Sequence, residues 1–170
     1  MTAFTSASAN KYLKSLEDEK EFLLAAERSV CVYTRTADEE ALPPSYDYAA
    51  TRAKIRAIDA KVRTIRHALH MFNASELLPD SGISIDEALI LLAQLNNEKA
   101  LLATMRSRQP VTRVNDRYMR SGDMIEYTYA NYDVEAAGAD YADVLERIAA
   151  LQLELDLVNQ THSFEVDLGE

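Results

Sequence analysis

Glycine and proline are scarce in this chain, four of each in 170 residues. So few turn and breaker residues leave room for long helices with few connections. Cysteine is scarcer still. Cys31 stands alone, which excludes an intrachain disulfide and points to a reducing cytoplasm. Nothing basic lies beside it in sequence, so it reads as a buried, inert thiol rather than a reactive one. Long apolar runs are missing as well. The longest, 88–93, falls far short of the ~20 residues a bilayer-spanning helix needs. The first ten residues are polar and small, and no apolar stretch of the secretory kind follows them. Positive charge is outnumbered, with 18 Lys and Arg against 28 Asp and Glu, a net charge of -10. Such a surface repels phosphate backbones and anionic lipids in general. A soluble, cytoplasmic, acidic protein with no membrane span is expected.

The parts of common catalytic sites are missing too. Glycines at 82, 122, 138 and 169 build no phosphate-cradling loop and no Gly-x-Ser-x-Gly elbow. Three histidines and one cysteine leave few nucleophile–base combinations. His67 and His70 are three apart on a helical stretch, a spacing that can present two metal ligands. No carboxylate joins them at a suitable helical spacing, and Thr64, not Glu, stands three before His67. A di-metal carboxylate bundle needs Glu-x-x-His pairs. They read as solvated side chains. Without a secretion signal the sequons at Asn73 and Asn159 are chance matches. No catalytic, cofactor or metal site is assigned, and the chain reads as a non-enzyme.

What is present is periodicity. Tyr48, Thr51, Ile55, Ile58, Val62, Ile65, Leu69 and Phe72 recur at steps of three and four. Val134, Ala137, Tyr141, Val144, Ile148, Leu151, Leu155 and Val158 do the same. Each keeps a coiled-coil-like register for about four heptads. A first helix over 8–37 carries a weaker seam through Tyr12, Leu16, Leu23, Ala26, Val30, Tyr33 and Ala37, broken at Glu19. It stops before Pro43-Pro44. The second helix is capped by Ser45 or Asp47 and stops near Asn73. Pro79-Asp80-Ser81-Gly82 supplies a turn. Ser84 and Glu87 then form a capping box for a third helix reaching about Arg108. Its start, 88–92, is apolar on every side, the mark of a helix buried centrally or shared between subunits. Ile90 and Leu91 are therefore the candidate oligomer contact.

Over 111–118 and 124–132 the period changes to two. A β-hairpin closing on Ser121-Gly122 is expected. That turn would set Tyr118 opposite Ile125 and Val114 opposite Tyr129, with Arg117 opposite Glu126. Asp133 caps a fourth helix over 134–160, and the alternation of Phe164, Val166 and Leu168 suggests a short strand. The second helix is basic and the fourth acidic, so the two are expected to pack together, within or between chains. The hairpin region gathers Arg106, Arg108, Arg113, Arg117 and Arg120 among Tyr118, Tyr127 and Tyr129. Arginines interleaved with aromatics on strands suit single-stranded nucleic acid, or ion pairing with nearby carboxylates and a neighbouring chain.

Three stretches resemble the septicolysin-like group of bacterial helical proteins. They are the turn and helix start Asp80-Ser81-Gly82-Ile83-Ser84-Ile85-Asp86-Glu87-Ala88-Leu89, the strand into helix Ile125-Glu126-Tyr127-Thr128-Tyr129 then Asp133-Val134, and the helix end 153–161. The resemblance spans most of the chain after Pro44. It implies a mostly helical, oligomeric protein and assigns no activity or functional residue.

The expected fold is mainly α: an antiparallel bundle of four long helices with coiled-coil-like seams and one β-hairpin (111–132) between the third and fourth. It would form a single domain over 1–170, frayed or disordered over 1–9. The expected function is that of a self-assembling or partner-binding structural protein without cofactors, a homo-oligomer. The alternatives are a nucleic-acid-associated protein using the Arg/Tyr hairpin, and a membrane-active, lysin-like protein resting on 88–93.

Overall fold

The computed structural model describes residues 1–37, 42–114 and 125–169. Their fold is mainly helical. Helices α1 (Ser6–Val30), α2 (Tyr48–Ser75), α3 (Ile85–Arg106) and α4 (Val134–Thr161) alternate with short strands β1 (Thr2–Thr5), β2 (Val111–Arg113), β3 (Tyr127–Tyr129) and β4 (Ser163–Val166). Two antiparallel two-stranded sheets result, β1 with β4 and β2 with β3. The chain divides into two compact units, Met1–Glu76 with Asp156–Glu170, and Leu77–Leu155.

The first unit is a helix pair closed by the outer sheet. Thr5 caps α1, and the Ser8 side chain bonds back to it. That reciprocal cap fixes the helix start. Asp47 caps α2 through the Ala50 N–H. Ladders of contact between Glu27 and Arg52, Lys20 and Asp59, and Glu17 and Arg66 run in opposite directions along the two helices, so the pair is antiparallel. Between them lie Ala9, Leu13, Leu16, Ile58 and Ile65. Ile65 is fully buried, and side chains of this size each contribute roughly 1.5–3 kcal/mol on burial. Across the ladder Thr2 faces Val166 and Phe4 faces Phe164. Aromatic rings then form a continuous row from α1 to α2: Tyr12 on Phe4 at 5.6 Å, Phe4 on Phe164 at 6.4 Å, and Phe164 on Phe72 at 5.0 Å.

The second unit begins with a tight connection. Leu77 bridges Ser84, Gly82 donates to the Leu78 carbonyl, and Gly82 adopts φ 68°, a conformation that glycine reaches without strain. The Ser84–Glu87 capping box forms as expected. Leu95 and Leu102 of α3 pack with Ala137, Val144 and Ile148 of α4. The Tyr132 hydroxyl donates to the Met105 carbonyl at 2.8 Å.

Several expectations need correction. Residues 2–5 are not frayed, because they pair with β4. Helix α1 ends at Val30 rather than Ala37. Val32, Tyr33, Thr34 and Thr36 follow, β-branched or aromatic residues that lose side-chain freedom in a helix. Cys31 is exposed at the α1 C-terminus, not buried. The buried face of α2 packs on α1, and Ile58 and Ile148 lie in separate cores. The inner hairpin pairs Val111, not Val114, with Tyr129. Val114 donates its N–H to the Glu126 carbonyl instead. The register is three residues away from the one a two-residue turn at Ser121-Gly122 demands. The expected pairings of Tyr118 and Arg117, and the turn itself, lie outside the described residues.

Candidate interaction surfaces

The residues singled out around the hairpin separate into three groups. Arg113, Tyr127 and Tyr129 come together. Val111 opposes Tyr129 and Arg113 opposes Tyr127, so by strand alternation all four side chains share one face of the ribbon. All are exposed, Tyr129 by 67%. The two tyrosine rings sit 6.4 Å apart. Arg106 and Arg108 are exposed at and just beyond the end of α3. Arg106 is engaged already, its guanidinium 3.8 Å from the centroid of the Tyr141 ring. Stacking of this kind contributes roughly 0.5–1 kcal/mol at exposed sites. Arg117, Tyr118 and Arg120 lie outside the described residues.

The apolar start of α3 resolves into an inner and an outer side. Ile85 and Ala88 are buried, and Leu91 and Leu92 are half-buried, the latter two against the second core. Ile90 points the other way and is 54% exposed. Down the same side follow Ala93, Asn97, Leu101 and Thr104, all exposed. Helix α4 has a comparable feature that its seam concealed. Leu145, Leu153 and Leu157 are exposed on the side away from Val144, Ile148 and Leu155. Unlike the α3 face, this one is interspersed with Glu146 and Asp156. The signal was legible as leucines placed off the seam register.

A buried carboxylate also escaped the sequence reading. Glu154 on α4 is only 7% exposed. It accepts the backbone N–H groups of Asp80 at 2.6 Å and Ser81 at 2.9 Å. Burial raises its pKa, but the backbone N–H bonds from Ser81 and Asp80 and the Ser81 side chain outweigh that, and the group titrates below the ordinary glutamate value. A charged side chain thus pins the connection before α3. The hint lay in an acidic residue between Leu153 and Leu155. Glu87 is likewise held below its usual value, by the Ser84 backbone and side-chain hydrogen bonds of its capping box.

Two open grooves of about 380 Å³ and 340 Å³ flank the α1–α2 pair. The first is lined by Asn10, Lys14 and His70, with Glu17 and Arg66 already paired to each other. His67 is exposed on α2. Among the described residues no three His, Cys, Asp or Glu side chains converge as a metal site would require. No helix among them is long and apolar enough to cross a membrane.

No family model matches the chain. Nor does any curated protein. A solved protein from Corynebacterium diphtheriae, described as a functionally unknown conserved protein, is similar in fold, with a TM-score of 0.59 at 15% identity. The match covers 96% of this chain and 100% of the other. It shows a shared, mainly helical fold.

Proposed function

We propose that this chain is a self-assembling structural protein without enzymatic activity, working through its outer helix faces. One observation carries the reading. The outer side of α3 presents Ile90 and Leu101, at 54% and 62% exposure, on a helix whose other side already packs a core. Apolar helix faces of this kind mark sites of association, and a twofold dimer is the simplest closed assembly. The seams within each helix pair are read as coiled-coil-like. The lone Cys31 supports a cytoplasmic setting, and the stretches at 80–89, 125–134 and 153–161 support kinship with the septicolysin-like group. Light scattering on the purified protein at micromolar concentration tests the proposal. It should give at least twice the 19.1 kDa chain mass. A folded monomer under those conditions would remove the reading.

A second reading has its own observation, the exposed ribbon face of Arg113, Tyr127 and Tyr129. Tyrosines offer stacking platforms and the arginine offers charge, the two requirements for holding single-stranded nucleic acid. Retention on heparin that falls steeply with salt would favour it. No retention at low salt would dismiss it.

A further inference from the structure

The occupant of the outer α3 face can be named from the pattern of that face. Ile90, Ala93, Asn97, Leu101 and Thr104 follow one another at steps of three, four, four and three. The spacing is symmetric about Asn97. All five are exposed, and none is charged. In a chain of net charge -10, that is the kind of face a second copy can approach. Two like-charged molecules repel wherever their carboxylates meet. The exposed leucines of α4 are interspersed with acids, whereas α3 offers a neutral strip ~20 Å long at the usual rise per residue.

We infer that two copies of the chain associate through antiparallel α3 helices, with Asn97 facing Asn97 on the twofold axis. This rests on the self-assembly reading above. Antiparallel pairing about residue 97 sets Ala93 opposite Leu101 of the other copy and Ile90 opposite Thr104, each twice. On both sides of the Asn97 pair a smaller side chain then receives a larger one, as close packing requires. Parallel pairing would instead place Leu101 against Leu101 and leave Ala93 facing Ala93, crowding one level and emptying another. The Asn97 carboxamide carries both donors and acceptors, so two of them across an axis satisfy each other. A lone polar residue in an apolar seam fixes register in this way, at some expense in stability. Antiparallel helices also set opposite dipole ends side by side.

Single cysteines placed in a Cys31→Ser background test the arrangement under mild oxidation. Asn97→Cys should crosslink to itself. Ala93→Cys and Leu101→Cys should crosslink when mixed, and neither should do so alone. Asn97→Glu, which sets two carboxylates face to face, should return the mass to 19.1 kDa at micromolar concentration with helical circular dichroism unchanged. Self-crosslinking of Ala93→Cys alone would overturn the antiparallel arrangement. A dimer that survives Asn97→Glu and shows no 93–101 crosslink would overturn the α3 contact while leaving self-assembly standing. A parent protein that is monomeric would overturn both.

Discussion

Replacing Glu154 by Gln separates charge from shape at a buried position. The amide is close in size to the carboxylate, so no cavity opens. What changes is the acceptor. The carboxylate takes N–H bonds from Asp80 and Ser81, and bonds to a charged group contribute roughly 1.5–3 kcal/mol each, against about 0.5–1.5 for neutral ones. Asp80 and Ser81 are themselves exposed, so water recovers part of the loss. The expected cost at neutral pH is therefore about 2 kcal/mol, toward the low end of twice the difference. At roughly 2–4 °C per kcal/mol for a chain of this size, the melting temperature should fall by about 4–8 °C. The pH dependence gives the sharper check. Because the folded pKa is depressed, the carboxylate's contribution is full above the unfolded value of about 4.3 and disappears as pH falls through the lower folded one. The substituted amide does not titrate. Glu87 titrates equally in both chains and drops out of the comparison. Urea unfolding followed by circular dichroism should show parent and variant well separated at pH 7 and converging in acid below about pH 4. A variant as stable as the parent at pH 7, or a gap that widens in acid, would refute the clamp.

Ile65→Ala should cost about 2–5 kcal/mol, because Ile65 is fully buried in the first core. Thermal melting checks it, and a loss under about 1 kcal/mol would mean the site collapses freely or is not core. Deleting Thr2–Thr5 should expose the Phe164 and Tyr12 rings that Phe4 covers and lower the melting temperature while α3 and α4 keep their helical signal. Unchanged melting would show that the outer sheet adds nothing to stability.

The helices were legible wherever local chemistry and burial agreed. The seams of α2 and α4 turned inward nearly residue for residue, and the Ser84–Glu87 box set the start of α3. Strand β1 was not legible, because four residues with one large apolar side chain carry no period and its partner lies at the other end of the sequence. The inner hairpin was found but its register was missed. All of its described side chains from 111 to 114 and from 125 to 129 are exposed, so no buried face pins the pairing. Opposite charge suggested the wrong neighbour for the inner face of α2. Arg52 and Arg66 meet Glu27 and Glu17 of α1. Acidic residues crowd α1 as well as α4, and surface ion pairs are too weak to choose between them. The outer face of α3 was half legible: Ile90 was placed on it, while Leu91 belongs to the core side.

The pairing of β1 with β4 also imposes an order in time. Unit 77–155 is contiguous and can close as soon as its own residues have emerged from the ribosome. The sheet beside α1 and α2 cannot. Thr2–Thr5 must wait for Ser163–Val166 to be made, an interval on the order of ten seconds at ordinary elongation rates. During that wait Phe4 and Phe72 stand without the ring of Phe164 that later joins them. A strand made early is thus among the last to settle, and slow translation of the stretch between β1 and β4 would lengthen the exposure of those rings.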